Sequence, residues 1–170
     1  MSPGLTQINL QLWASLNELF MNHSSAEFGR VCQILLALSF QHLGFRVRHF
    51  QHVGRPDFTA KRENEEYAVE VKAPPRHNEV HIKKEDLMGI ENLGSKPVVA
   101  VLTYPAIDAQ WLVVESHKLT PRVYAKIELK GHNMSPLSDE LNNAFARMIN
   151  KYREKALLGS SNLRDLLQKE

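Results

Sequence analysis

A continuous apolar segment constrains the fold of this chain more than any other feature. Within residues 97–104, Val98, Val99, Ala100, Val101 and Leu102 follow one another without a polar residue. A short apolar run without polar alternation is typical of a β-strand that is buried on both faces. The segment therefore predicts an internal strand in a sheet that helices flank.

Helices are predicted before and after this strand. Residues 8–20 carry apolar side chains at helical spacing, and so do residues 24–43 and the last predicted helix, 138–158. Ser24 and Glu27 have the spacing of a capping box at the start of the second helix. Gly44 stands where a helix commonly ends in a left-handed turn. A further helix is predicted over residues 84–93.

Shorter segments have the alternation or composition of strands. These are residues 45–50, 57–60, 67–72, 97–104, 111–115 and 123–129. The polar residues 61–66 predict a turn that joins two of them as a hairpin, and residues from 160 onward are expected to fray. This order of helices and strands predicts an α/β fold with a mixed central sheet flanked by helices.

Composition sets limits on the class of protein. The chain has 170 residues and a net charge of +2, which suit one mildly basic domain. Its single cysteine, Cys32, lies in an apolar stretch and is expected in the core. No apolar run reaches the roughly 18 residues of a membrane helix. We therefore expect no membrane association and a cytoplasmic location, where a single unpaired cysteine is common.

Two short motifs carry the chemistry. Gly54-Arg55-Pro56-Asp57 is followed, after twelve residues, by Glu70-Val71-Lys72. Glu70 and Lys72 are two apart on a predicted strand and share one face, and the hairpin brings Asp57 beside Glu70. Carboxylates in such a place are the ligands that Mg²⁺ prefers. The alternatives are an aspartate that starts a turn and an ion pair on a solvated strand face.

These motifs resemble the PD-(D/E)xK nuclease superfamily, and most closely the archaeal Holliday junction resolvases. The resemblance covers about residues 24–115 and includes Glu27, the two motifs and residues 80–87. It implies a restriction-endonuclease-like fold and a site that binds Mg²⁺ or Mn²⁺. The ligands would be Asp57, Glu70 and the Val71 carbonyl, and Lys72 would be the catalytic lysine.

The resemblance also implies a role for Glu27, the helix carboxylate found near the metal in that family. The capping box with Ser24 explains the same residue without any catalysis, so both interpretations stay open. Family resolvases are homodimers that cut DNA on two strands. We therefore expect this chain to act as a homodimer. We also expect a single nuclease domain over residues 1–170, with a core at 24–115 and helical extensions at 1–23 and 116–170.

Basic residues near the motifs are candidates for DNA binding. Positive side chains attract a phosphate backbone, although a solvated surface would look the same in the sequence. The candidates are Arg55, Arg76, His81, Lys83 and Lys84. No Gly-rich phosphate-binding loop of the Walker type occurs, so no nucleotide cofactor is expected. Three functions remain open: an endonuclease for branched DNA, a restriction or repair endonuclease, and a non-catalytic nucleic-acid-binding module.

Overall fold

The computed structural model describes residues 3–49, 54–91 and 94–167, with side chains from Leu10 onward. The helices are α1 (Pro3–Asn22), α2 (Ser25–His42), α3 (Lys84–Glu91), α4 (Ser135–Lys151), α5 (Arg153–Leu158) and α6 (Ser160–Arg164). The strands are β1 (Arg46–His49), β2 (Phe58–Arg62), β3 (Glu65–Lys72), β4 (Glu79–Ile82), β5 (Lys96–Leu102), β6 (Trp111–Glu115) and β7 (Arg122–Ala125). None of the helices in these ranges is both long and apolar enough to cross a membrane.

A five-stranded mixed sheet forms the centre, in the order β1-β2-β3-β5-β6. β1, β2 and β3 run antiparallel to one another, β3 and β5 are parallel, and β6 is antiparallel to β5. In the parallel pair, Glu70 lies opposite Val99 and Lys72 opposite Val101. The predicted α/β fold with a mixed, helix-flanked sheet is confirmed.

Both faces of the sheet are buried at β5, as the apolar segment predicts. Val98, Ala100 and Leu102 face a hydrophobic cluster that α1, α2 and α4 also form. Val99 and Val101 face a second cluster, to which α3 and the strands β4 and β7 contribute. The helices outside residues 24–115 thus pack into the same core as α2. The burial of Cys32 in the first cluster is also confirmed.

The ends of α2 follow the sequence signals. The Ser24 side chain accepts a hydrogen bond from the Glu27 N–H at 3.1 Å, which caps the helix. Gly44 has φ of 94°, a left-handed conformation that glycine adopts without steric cost. The helix therefore begins and ends where these two residues predict.

The hairpin turn is tighter than predicted. β2 continues to Arg62 and β3 begins at Glu65, so only Glu63 and Asn64 join them instead of residues 61–66. The other central elements match their predicted positions within two residues, although parts of two predictions, residue 50 and residues 92–93, lie outside the described residues.

The segment after β6 departs from the prediction of a strand over residues 123–129. Strand β7 ends at Ala125, and Lys126–His132 forms a 3-10 helix. Glu128, at the third position of this helix, accepts a hydrogen bond from the Ala125 N–H at 2.8 Å, which favours a helical turn over a continued strand. Lys126 is 2% exposed and donates hydrogen bonds to the carbonyls of Pro74 (2.7 Å) and Tyr104 (2.6 Å), the acceptors that a buried ammonium group requires.

Two other features differ from the sequence-based expectations. β4 pairs with β7 in a separate two-stranded sheet, with Val80 opposite Tyr124. The predicted last helix divides into α4 and α5, and the next segment forms a further helix, α6, where fraying was expected. Burial of Leu163 and Ser160 explains the order of α6, because the apolar side chain contributes to the first cluster. Residues 168–170 lie outside the described part.

Candidate active site

Asp57 lies immediately before β2, where the pairing of β2 with β3 ends. The last pair of the ladder is Phe58 and Val69. The Asp57 N–H donates to the Val69 carbonyl at 3.0 Å, and the Val71 N–H donates to the Asp57 Oδ2 at 2.7 Å. The Asp57 side chain thus supplies the acceptor that the next strand residue would have supplied, and this fixes its carboxylate beside β3.

The backbone of Val71 points to the same edge. Its N–H faces Asp57, and the N–H and C=O of one residue in an extended strand are directed to the same side. The Val71 carbonyl therefore lies on the Asp57 side of β3 and not toward β5. This is the orientation that the predicted metal-ligand role requires.

Glu70 and Lys72 share the face of β3 that Ala68 occupies in the second cluster. Their side chains are 14% and 21% exposed, and the Lys72 Nζ lies 3.8 Å from the Glu70 Oε1. The ion pair of the alternative interpretation is present, but the strand face that carries it is largely covered and not solvated. Burial at this level makes both charges costly unless each is compensated.

Asp86 joins this group, and the sequence interpretation did not assign it a role. Its Oδ2 lies 2.9 Å from the Lys72 Nζ and accepts a hydrogen bond from the Lys83 N–H at 2.9 Å. Asp86 is the third residue of α3, so it caps the helix through the N–H of the residue before the helix. Lys83 at the N-cap position does not match the Ser/Thr signature of a capping box, so the sequence signalled neither this cap nor the contact with Lys72.

A close backbone approach holds α3 against the motif loop. A Cβ atom on Gly89 would lie 3.4 Å from the Arg55 carbonyl oxygen and 3.6 Å from the Gly54 carbonyl carbon. A Cβ at this position would make an ordinary van der Waals contact with the loop that leads into Asp57. The backbone of α3 thus lies directly against this loop.

Two carboxyl groups of this cluster, those of Asp57 and Glu70, resist ionisation. Burial raises the pKa of Glu70 to about 8, and the nearby Asp57 charge adds to the effect while Lys72 opposes it. Burial also raises the pKa of Asp57 to about 6, against the Val71 N–H and the Lys72 charge. When ionised, the three carboxylates of Asp57, Glu70 and Asp86 carry more negative charge than the single ammonium of Lys72 balances. A further cation at the site would reduce the repulsion among them.

The donor set fits a hard divalent cation. Mg²⁺ is commonly held by one or two carboxylates and retains several waters, and Asp57, Glu70 and the Val71 carbonyl supply oxygen ligands of that kind. In the described ranges, no group of three or more His, Cys, Asp or Glu side chains is arranged to hold a metal ion. A site here would therefore depend on the two carboxylates, the carbonyl and water.

Glu27 lies apart from this cluster in its contacts. Its Oε1 is 3.4 Å from the Arg30 Nε, and its carboxylate accepts from Ser160 at the start of α6. The hydrogen bond from Ser160, with the Arg30 charge, holds the pKa of Glu27 below its usual value. Its interactions within the described residues do not include Asp57, Glu70 or Lys72. The cap with Ser24 forms, and the catalytic role stays a prediction.

The predicted DNA-binding residues lie in two places. Arg55, Lys83 and Lys84 are exposed around the junction of the motif loop and α3, with exposed His81 two residues earlier on β4. Arg76 is also exposed, but it donates to the Ser25 Oγ at 2.8 Å at the start of α2. The first group therefore borders Asp86, whereas Arg76 is already engaged by α2.

Comparisons with known proteins support the fold. No protein-family model matches the chain, and no curated protein is detectably similar in sequence. Among solved structures, the chain is similar to Hjc, a Holliday junction resolvase of Archaeoglobus fulgidus, with a TM-score of 0.50 and 14% identity over 61% of this chain and 89% of that chain. The chain shares the restriction-endonuclease-like fold of that resolvase.

Proposed function

We propose that this protein is a metal-dependent DNA endonuclease that hydrolyses phosphodiester bonds in branched DNA. The observation that carries the proposal is the meeting of Asp57, Glu70 and Lys72 at the end of one hairpin, in a fold shared with a Holliday junction resolvase. Burying carboxylates beside an ammonium costs folding free energy, and a metal site that cleaves phosphodiester bonds would explain their presence.

In this proposal Asp57, Glu70 and the Val71 carbonyl hold Mg²⁺ or Mn²⁺. The ion would lower the pKa of a bound water and stabilise charge on a phosphate oxygen. Lys72 donates hydrogen bonds from its ammonium to the phosphate oxygen that gains charge, or orients the attacking water. The hydrogen bond from the Val71 N–H to the Asp57 carboxylate keeps Asp57 and the Val71 carbonyl on the same edge of β3.

Exposed basic residues beside the site would bind the DNA backbone. Arg55, Lys83 and Lys84 border the start of α3, so a phosphate reaching Lys72 would pass close to them. Contacts of this kind recognise position and shape without reading bases. Paired cuts in a symmetric junction would require two active sites, so the proposal includes a homodimer.

A panel of labelled DNAs tests the proposal. Wild-type protein is incubated with a four-way junction, a fork, a flap, plain duplex and single strand, each in Mg²⁺, Mn²⁺ or EDTA. Asp57→Asn is the inactive variant, and Asp108→Asn is the matched control, because Asp108 is an exposed acid paired with Lys130. Symmetric metal-dependent nicks confined to the junction would support the proposal.

The other outcomes assign different functions. Cutting of plain duplex at a fixed sequence indicates a restriction endonuclease, and cutting of flaps or single strand indicates a repair nuclease. Binding without cleavage under every metal would contradict the enzymatic proposal and indicate a nucleic-acid-binding module.

A further inference from the structure

The contact between Asp86 and Lys72 is the shortest ion pair in the site. The Asp86 Oδ2 to Lys72 Nζ distance is 2.9 Å, against 3.8 Å from Lys72 to Glu70. The Asp86 side chain is 14% exposed, so solvent screens this pair only in part. Among the ion pairs of the described residues, the Lys72 ammonium thus lies nearer to a carboxylate of α3 than to the carboxylate of its own strand.

We propose that Asp86 is a positioning residue that fixes the Lys72 ammonium for phosphodiester cleavage, an inference that rests on the proposed function. A lysine has a flexible four-carbon stem, and its ammonium must be placed accurately to stabilise charge in a transition state. Asp86 supplies a fixed acceptor that restricts the stem to one arrangement.

The surroundings of Asp86 hold its carboxylate in place. The Oδ2 that contacts Lys72 also accepts a hydrogen bond from the Lys83 N–H at 2.9 Å, so the backbone at the start of α3 fixes this oxygen. Leu87 and Ile90 anchor the same helix in the second hydrophobic cluster, and its backbone at Gly89 lies close to the Arg55 carbonyl. The acceptor therefore belongs to a packed helix and not to a mobile loop.

The same contacts argue against Asp86 as a metal ligand. A carboxylate oxygen accepts about two hydrogen bonds through its lone pairs, and the Oδ2 of Asp86 already accepts from Lys72 and Lys83. The acceptor positions of this oxygen are thus directed at groups of the protein itself.

The contact between Asp86 and Lys72 would matter most once a cation binds, because of the charges at the site. A divalent ion held by Asp57 and Glu70 would repel the Lys72 ammonium and compete with it for the Glu70 carboxylate. Asp86 offers Lys72 a second carboxylate outside that donor set. Lys72 would thus stay at the site while Glu70 coordinates the ion.

The test compares Asp86→Asn, Asp86→Glu and the control Glu85→Gln. Asparagine keeps the volume and can still accept the capping hydrogen bond from Lys83, so loss of the helix cap is separated from loss of the charge. Glu85 is the exposed neighbour in the same first turn, so its substitution changes the same net charge without touching Lys72.

Three readouts are used: single-turnover cleavage of a four-way junction, Mn²⁺ affinity by calorimetry, and the ¹⁵Nζ signal of Lys72 in lysine-labelled protein. For Asp86→Asn we expect a cleavage rate about 100-fold lower, as for a misplaced catalytic group. Mn²⁺ affinity should be unchanged, and the protected ammonium signal of Lys72 should be lost. Asp86→Glu should recover part of the rate and the signal, and Glu85→Gln should match wild type.

Several results would overturn the inference. Weakened Mn²⁺ affinity in Asp86→Asn with an unchanged Lys72 signal would make Asp86 a metal ligand. An unchanged rate, or equal loss in Asp86→Asn and Asp86→Glu together with lower thermal stability, would leave only a structural role. If wild-type protein cleaves no DNA, the proposed function fails, whereas the Lys72 signal still shows whether Asp86 orders the ammonium.

Discussion

The Asp57 carboxylate accepts a hydrogen bond from the Val71 N–H at 2.7 Å, across the end of the β2–β3 hairpin. The β2–β3 pairing ends at Phe58 and Val69, and this side-chain contact adds one more hydrogen bond beyond it. It also places the Asp57 carboxylate beside β3, the strand that carries Glu70 and Lys72. The backbone that forms the sheet and the side chains of the site are therefore fixed by the same interaction.

Ionisation of Glu70 should make the metal-free protein less stable as pH rises. Its folded pKa is raised to about 8 from an ordinary value of 4.5, so between these values the folded state holds more protons than the unfolded state. Stability from this group is present below pH 4.5 and is lost as pH rises through about 8. Glu70→Gln should remove most of this dependence and stabilise the protein at pH 8 by about 1–3 kcal/mol.

Urea unfolding at pH 5 and pH 8 in EDTA measures the effect. Glu66→Gln is the matched control, because Glu66 lies on the same strand and the same face but is exposed. A Glu70→Gln variant with the same pH dependence as wild type would show that Glu70 ionises normally in the folded protein.

Divalent metal should stabilise wild-type protein through Asp57 and Glu70. A ligand that binds only the folded state at about 100 times its dissociation constant adds about 2.7 kcal/mol. We therefore expect Mn²⁺ to raise the melting temperature of wild type at pH 8, but not that of Asp57→Asn. Thermal unfolding with and without EDTA checks this, with Asp108→Asn as the control, and an equal rise in Asp57→Asn would remove Asp57 from the ligands.

Lys126 should stabilise the fold more as the solution becomes alkaline. Burial lowers its pKa from 10.5 to about 8, so between these values the unfolded state binds more protons and stability increases with pH. Lys126→Met leaves the Pro74 and Tyr104 carbonyls without this donor, which should cost about 1–3 kcal/mol at pH 7. The wild-type advantage should grow further by pH 9.5.

Chemical denaturation at the two pH values tests Lys126. The control is Lys130→Met on the same 3-10 helix, where the lysine is 41% exposed and pairs with exposed Asp108. An exposed ion pair contributes little, so this variant should stay near wild type at both pH values. A constant difference between wild type and Lys126→Met would argue against a depressed pKa.

Charge reversal at Lys83 or Lys84 should weaken DNA binding for every substrate. Both side chains are exposed at the start of α3, and removing one lysine–phosphate interaction should reduce the slope of log affinity against log salt by about 1. Fluorescence anisotropy over a salt series measures the slope. Lys61→Glu, at an exposed position of β2, is the control, and salt slopes equal to wild type in the Lys83 and Lys84 variants would place DNA elsewhere.

Local signals predicted much of the fold. The apolar run predicted the buried strand β5, and Ser24 and Gly44 predicted the ends of α2, because caps and turns depend on residues close in the chain. The motif spacing placed Asp57 beside the strand of Glu70 and Lys72 for the same reason, since a hairpin joins neighbouring segments.

Contacts between distant segments could not be predicted in this way. The pairing of Val80 with Tyr124 and the burial of Lys126 against Pro74 and Tyr104 depend on how separate segments meet. The contact of Asp86 with Lys72 likewise requires the approach of α3 to the hairpin. Sequence alone therefore indicated the proposed catalytic motif but not the helix residue that contacts its lysine.

Cleavage of a labelled four-way junction in Mg²⁺ and in EDTA, by wild type and by Glu70→Gln, tests the central claim most directly. Glu66→Gln on the same strand serves as the control. Wild type and Glu66→Gln should cut the junction only with metal, and Glu70→Gln should bind it without cutting. Cleavage in EDTA, or a Glu70→Gln rate equal to wild type, would contradict a metal-dependent nuclease at this site.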